Sequence, residues 1–270
     1  MIKQETTAFP KLESTSSVFA DYARYYDLLY KDKDYEGEVN YINALIMRYN
    51  PKANSILELG SGTGIHASLL AKKGFMIQGI ERSPEMMAIA QELAKKGDDR
   101  SGSLAFFLGD IRDIRLNKKF DAVIALFHVI SYQITNQDIL ATFKTAIHHL
   151  KPGGLFIFDV WYGPAILTKR PEVRVKRMAD DQIEITRLAE PVLHPNQNRV
   201  DVNYHIFVRD RASATVKEFK ETHAMRYFFQ PEIEILASQS EFITMHAEEW
   251  MTGNPIDQNT WGACFILKAS

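Results

Sequence analysis

Hydrophobic positions along this chain change period several times, and those changes divide it into elements. Residues 18–50, VFADYARYYDLLYKDKDYEGEVNYINALIMRYN, carry apolar and aromatic side chains at helical spacing until Pro51 halts the pattern. Short aliphatic runs then alternate with amphipathic segments. SILELG reads as a strand, and a helix is expected from about Ile65 to Lys73. FMIQGIE reads as the next strand and precedes SPEMMAIAQELAKKG. There Ser83 is placed to cap a helix, Pro84 to open it and Gly97 to end it. LAFFLGD and FDAVIALF follow as strands, with Phe106 and Phe107 expected in the core. NQDILATFKTAIHHL puts Ile139, Phe143, Ile147 and Leu150 on one helical face, and LFIFDVW supplies a fifth strand after the break at KPGG. Strands alternating with helices predict a parallel sheet covered on both faces.

Between about Gly163 and Phe229 the period falls to two. RVDVNYHIFV alternates, and HPNQN is a turn signal between two such runs. An antiparallel, β-rich insertion is expected there. QPEIEILASQSEF returns to helical spacing, and ITMHAEEW and WGACFILKA read as two late strands. Four parts result: a loose tail at 1–17, a helical lid at 18–50, a ligand-binding core from 51–162 and 230–270, and an insertion at 163–229 offering a substrate or dimer surface.

Composition narrows the function classes. Apolar residues make up 46% and charged residues 24% of 270, the balance of a globular chain with a substantial core. A net charge of -2 argues against a broad nucleic-acid footprint. Cys264, alone in the chain and set in an apolar run, forms no internal disulfide or zinc cluster and is expected in the core. Adjacent His148 and His149 fall on different faces of a helix with no third ligand spaced to join them, so no metal is expected. The polar N-terminus lacks the apolar stretch of a signal peptide, and no run approaches the roughly 20 apolar residues of a membrane span. A cytoplasmic protein without membrane partners is expected.

The candidate chemistry starts at ILELGSGTG, where three glycines at alternate positions join a strand to a helix. A phosphate-binding P-loop would need Lys and Ser or Thr after its last glycine, but Ile65 and His66 follow Gly64. A dinucleotide loop has G-x-G-x-x-G spacing and holds a pyrophosphate. Here the spacing is G-x-G-x-G, and Glu58 precedes it by two residues. A carboxylate so placed repels a pyrophosphate and suits a ligand with an ammonium group.

LELGSGTG resembles motif I of the class I S-adenosylmethionine-dependent methyltransferases. Glu81 at the end of FMIQGIE, Asp110 at the end of FFLGD, the segment FDAVIALFHVISY and the loop and strand LKPGGLFIFDVW follow in that family's order. The resemblance covers residues 53–162. It implies an α/β, Rossmann-like fold with a mostly parallel seven-stranded sheet and helices on both faces, plus the β-rich insertion after the fifth strand. It also implies S-adenosylmethionine as cofactor, leaving as S-adenosylhomocysteine. By resemblance Glu58, Gly60, Ser61, Gly62, Thr63 and Gly64 receive its methionine end, with Phe127 nearby. Glu81 accepts from both ribose hydroxyls, with Arg82 and Met86 beside it. Asp110 meets the adenine amino group and Ile111 covers the ring.

The family's nucleobase and glutamine N-methylases carry an Asn/Asp-Pro-Pro-Tyr/Phe motif after the fourth strand, where this chain has LFHVISYQ. YYDLLYKDKDYEGEVNYI, LFHVIS and DVWYGP look instead like the amino-sugar N,N-dimethyltransferases that act on nucleotide-linked deoxysugars, which also carry a β-rich insertion there. The chain departs from them in Glu58 for Asp, SGTG for CGTG and His128 for a small residue. The resemblance implies a small-molecule acceptor, with Tyr26 closing over the cofactor and Tyr22 and Tyr25 lining the transfer site. His128 is placed to take a proton from an ammonium acceptor, and Tyr132 aligns with a histidine of those enzymes. Trp161 and Tyr162 form an apolar wall, and His223 and Arg226 face a pyrophosphate. Asp159 and Glu249 are further candidates. Two alternatives stay open: an O- or C-methyltransferase, and a non-catalytic cofactor-binding assembly protein. A homodimer through the insertion is also open.

Overall fold

A computed structural model describes residues 20–96 and 104–270, with side chains described from residue 25 and not at 96. The tail at 1–17, the helix end at Gly97 and the side chain of Tyr22 lie outside the described residues.

Seven strands form the core sheet: β1 (Ser55–Leu59), β2 (Met76–Glu81), β3 (Leu104–Leu108), β4 (Phe120–Ala125), β5 (Leu150–Tyr162), β10 (Phe242–Glu249) and β11 (Gly262–Ala269). Their order is β3-β2-β1-β4-β5-β11-β10. The first five are parallel, and β11 runs antiparallel to both of its neighbours. Because β1 is central, every residue of SILEL is buried, which is why its sequence is apolar without alternation. Ile56 points toward α2 (Tyr35–Tyr49), α3 (Ile65–Lys72) and α4 (Pro84–Lys96), whereas Leu57 and Leu59 point toward α5 (Asn136–His148) and α7 (Gln230–Gln239). Cys264 is fully buried on the Ile56 side.

Ser83 and Pro84 open a helix as read, and Thr135 adds a cap not read from the sequence. Ser83 Oγ accepts from the Met86 N–H at 3.2 Å, capping α4 behind Pro84, and Thr135 accepts from Asp138 at 3.0 Å to cap α5. Ile139 and Phe143 are buried, while Ile147 is only partly so and Leu150 already belongs to β5. His149 is fully buried: its Nδ1 contacts Thr145 O at 2.8 Å and its Nε2 accepts from Leu116 N at 2.8 Å, which pins the loop before β4. Phe107 departs from expectation, being 38% exposed where Phe106 is buried, because β3 is an edge strand with one covered face.

The stretch expected as one helical lid holds two helices among its described residues. α1 (Ala20–Leu29) and α2 are separate helices, and α2 buries Val39, Ile42, Leu45 and Ile46 in the core as a fixed layer. The insertion opens with a helix that period two did not foretell, α6 (Gly163–Lys169). It continues as β6 (Arg174–Ala179), β7 (Ile183–His194), β8 (Arg199–Asp210) and β9 (Val216–Phe228), an antiparallel meander. Asn198 takes a left-handed conformation after a short 3-10 turn in HPNQN. The insertion is hydrogen-bonded to the core: the end of β9 pairs in parallel with the end of β5, Trp161 to Tyr227 and Tyr162 to Phe228. α1 lies across the meander, packing Tyr25 and Leu29 on Ile185, Ile206 and Val208.

Candidate functional site

The parallel strands β1, β2, β3 and β4 all end beside one cavity of about 1180 Å³, which β8, β9 and α1 enclose from the other side. That is the crevice where open α/β sheets bind ligands, and its size exceeds that of a single drug-like ligand.

The glycine loop forms its floor. The N–H groups of Gly60 and Ser61 both donate to Ile80 O, at 2.8 and 2.9 Å, which draws the loop against β2. Gly60, Gly62 and Gly64 all have positive φ, but for different reasons. A Cβ at Gly64 would stand 2.5 Å from the Phe106 ring, so this glycine serves helix–strand packing and does not line the cavity. At Gly62 a Cβ would meet nothing within 4 Å, because its Cα faces the open cavity. The middle glycine is therefore the one of the three with open space above it.

Glu81 ends β2 and binds the loop. Its Oε2 accepts from Gly62 N at 2.8 Å, and its Oε1 accepts from Arg82 N at 2.8 Å and Ser83 N at 2.7 Å. Burial raises its pKa, opposed by those three hydrogen bonds. Two oxygens offer about four lone pairs, so this arrangement leaves room for roughly one further hydroxyl. Asp110, after β3, is gripped by Arg112 at 2.9 and 2.6 Å. Burial works to raise its pKa, but the Arg112 hydrogen bonds and charge prevail and hold it below the usual range. Met86, Ile111 and Arg82 line the same side.

Glu58 sits elsewhere. It is 1% exposed beneath the loop and does not line the cavity. Its Oε2 has no hydrogen-bond partner, and the buried Ser61 Oγ has none either. Burial, aided by the charge of Glu81, pushes the Glu58 carboxyl up to about 8. Its Oε1 lies 3.9 Å from His66 Nδ1, and His66 Nε2 lies 2.7 Å from Glu38 on α2. Thr63 and Tyr26 line the cavity, and Thr63 donates to Asp27 of α1 at 2.8 Å.

The opposite wall carries two histidine clusters. Phe127 and His128, after β4, both have positive φ, a costly conformation for bulky residues. Asp159 of β5, 1% exposed, holds them there: its two oxygens accept from His128 N at 3.2 and 3.1 Å. The His128 ring Nδ1 lies 2.6 Å from Asp159 Oδ2 without the alignment of a hydrogen bond. Deeper under the insertion, Tyr132 Oη lies 2.8 Å from His223 Nδ1, and His223 Nε2 lies 3.1 Å from Glu221 Oε2. All three face the cavity. Burial raises the Tyr132 pKa well above that of a free phenol and lowers that of His223, the latter opposed by Glu221.

The structure thus gathers Tyr26, Gly60, Ser61, Gly62, Thr63, Glu81, Arg82, Met86, Asp110, Ile111, Phe127, His128, Tyr132, Trp161 and His223 around one cavity. It moves five predicted residues out of the lining. Glu58 and Gly64 lie beneath the loop, for the reasons above. Tyr25 stacks on Phe219, ring centroids 6.0 Å apart, because it shares its helix face with Leu29 against the meander. Tyr162 belongs to the core, its N–H donating to Trp261 O at 2.9 Å. Arg226 turns away from the cavity to pair with Glu232 of α7 and donates to Ile134 O at 3.4 Å. Residues 223 and 226 are an odd number apart on one strand and point to opposite faces, a signal the sequence already held. Glu249 is likewise absent from the lining. Sequence reasoning missed Tyr30, Tyr35, His66, Tyr204 and Glu221, all in the lining. Tyr30 follows Tyr26 by one helical turn and was legible from spacing. Tyr204 and Glu221 are directly paired across β8 and β9, a register that no local pattern gives.

A family model described as a methyltransferase domain matches residues 56–154. The chain is similar to a dTDP-3-amino-3,4,6-trideoxy-alpha-D-glucopyranose N,N-dimethyltransferase of Streptomyces venezuelae, 30% identical over 79% of this chain and 86% of that protein. A dTDP-3-amino-3,6-dideoxy-alpha-D-glucopyranose N,N-dimethyltransferase of Streptomyces fradiae is 27% identical over 87% of each. Among solved structures, DesVI of Streptomyces venezuelae superposes with a TM-score of 0.76 at 26% identity, covering 93% of this chain and 99% of that one.

Proposed function

The chain belongs to the S-adenosylmethionine-dependent methyltransferases, and on that premise we propose that it N-methylates the amino group of a nucleotide-linked amino sugar. S-adenosylmethionine is its methyl donor. The residues present fit that donor: an open cradle over Gly62, an unpartnered buried hydroxyl at Ser61, and the acids Glu81 and Asp110 at neighbouring strand ends. Gly60 and Gly62 would receive its methionine end, Glu81 its ribose, and Met86, Ile111 and Asp110 its adenine. When bound, the donor supplies an electrophilic methyl group on a sulfonium.

The chain's own work is then to place an acceptor, remove its proton and exclude water. A sulfonium needs little activation, but an ammonium acceptor has no lone pair until it is deprotonated. The observation carrying this reading is the polar wall of Tyr132, His128 and His223 that shares one cavity with the donor loop. Acceptors of two relatives, both dTDP-linked amino sugars, support the choice of class. The insertion supplies His223 to that wall, which supports reading it as the acceptor-binding part. A homodimer through the insertion belongs to the same proposal, supported by its edge strand β6, where Val175 is 52% exposed. So does a cytoplasmic setting, supported by the single buried cysteine. No described helix is long and apolar enough to cross a membrane.

The test is methyl transfer from labelled S-adenosylmethionine to a panel of nucleotide-linked amino sugars, the matching hydroxy sugars and free amines, read by mass. Transfer to an amino sugar with its hydroxy counterpart inert is the expected result. Transfer to hydroxyl acceptors alone overturns the proposal.

A further inference from the structure

Tyr132, His223 and Glu221 come from two separate parts of the chain. Tyr132 sits on a 3-10 turn of the core, in the segment Val129–Tyr132, while His223 and Glu221 lie two residues apart on one face of β9. Their contacts of 2.8 and 3.1 Å form a continuous line from the cavity into the insertion. His223 is 2% exposed overall, yet its ring edge belongs to the cavity wall. An ionised Glu221 can only accept, so the neutral His223 ring must carry its proton on Nε2. Nδ1 is then the acceptor, and the Tyr132 hydroxyl donates to it.

We propose that Tyr132, His223 and Glu221 form a proton relay that deprotonates the ammonium acceptor, with Tyr132 as the catalytic residue and His223 and Glu221 as positioning and proton-storing residues behind it. The relay rests on the N-methylation reading above. The acceptor nitrogen gives a proton to Tyr132 Oη while Oη passes its own to His223 Nδ1. Tyr132 ends unchanged, His223 becomes an imidazolium paired with Glu221, and the acceptor is left with a free lone pair. A phenol with a strongly raised pKa is a poor base by itself, and handing its proton on avoids forming a buried phenolate.

The groups facing His223 set its charge balance. They include Tyr132 of the core turn, Glu221 of its own strand, Tyr204 of β8 with its ring centroid 4.7 Å away, and Arg187 of β7. Tyr30, in the turn just after α1, adds to the field at Tyr132. Burial and Arg187 favour the neutral ring, while Glu221 favours the imidazolium. A neutral ring able to take up a proton is the state the relay needs before each transfer.

The test compares wild type with His223→Asn, whose side-chain oxygen can still accept from Tyr132 but cannot store a proton. The wild-type kcat/KM profile should rise with the deprotonation of His223 and level off once the acceptor amine is itself neutral. The variant must bind the rare neutral amine, so its profile should rise only through the amine's own pKa. The deficit should be about 100-fold at pH 6.5 and narrow to about threefold at pH 9.5. A deficit of equal size at every pH overturns the relay, as does an acid limb that moves with His128→Asn and not with His223→Asn. Nitrogen-15 NMR of the imidazoles in the full chain reads the relay without turnover. At pH 7.5 His223 should carry its proton on Nε2, and Glu221→Gln should lower its pKa. A proton on Nδ1, or no response to Glu221→Gln, overturns it. Should wild type methylate no amine at any pH, the acceptor class fails, and the NMR result separates that failure from failure of the relay.

Discussion

Glu58 gives the sharpest test of the energetics beneath the glycine loop. Its carboxyl is fully buried and pushed up to about 8 from 4.5. The unfolded chain releases that proton above pH 4.5, so near neutrality folding must take one up. Stability from this group is therefore full below pH 4.5 and is lost as the pH rises through 8. Integrating the linkage relation between pH 6 and pH 8 gives a loss of about 2 kcal/mol from Glu58 alone. Glu58→Gln keeps the size and cannot ionise. The cofactor-free wild type should thus lose about 2 kcal/mol more than the variant over that range, in urea unfolding at 25 °C. Glu81 is also raised by burial in both proteins, so that burial cancels, while its repulsion of Glu58 is part of the difference measured. Parallel stability curves for the two proteins would refute the reasoning and mean that Glu58 is ionised and paired in the folded state.

Other outcomes follow from the same geometry. Gly62→Ala should weaken cofactor binding by calorimetry while costing about 1 kcal/mol of stability, since only its left-handed backbone is strained. Gly64→Ala should cost about 3 kcal/mol in unfolding experiments, because its Cβ adds a clash with Phe106 to that strain. Glu81→Ala should reduce cofactor affinity by about 1–3 kcal/mol, leaving a hydroxyl and three loop amides without their acceptor. Arg226→Met strands the partly buried Glu232 and should cost about 3 kcal/mol of stability, with the KM for a nucleotide-linked acceptor unchanged. A raised KM without a stability loss would return Arg226 to the pyrophosphate role.

The sequence alone determined what is local. The alternation of strands and helices follows from side-chain period, and the strand-to-helix turn follows from glycines at positions of positive φ. The acids after β2 and β3 were legible because in parallel sheets the strand ends converge on one crevice, so their place in the order gives their place in space. Tertiary structure decided what depends on register and on which face packs. Helical spacing allowed both Tyr25 and Tyr26 toward the site, yet the meander claims Tyr25 and leaves Tyr26 at the cavity. Glu58, still within β1, is buried under the floor it was expected to line. The contact between Tyr132 and His223 spans 91 residues and exists because β9 pairs with the end of β5 through two residue pairs. Contacts of that span depend on how separate sheets dock, which no short-range pattern of hydrophobic and polar positions encodes.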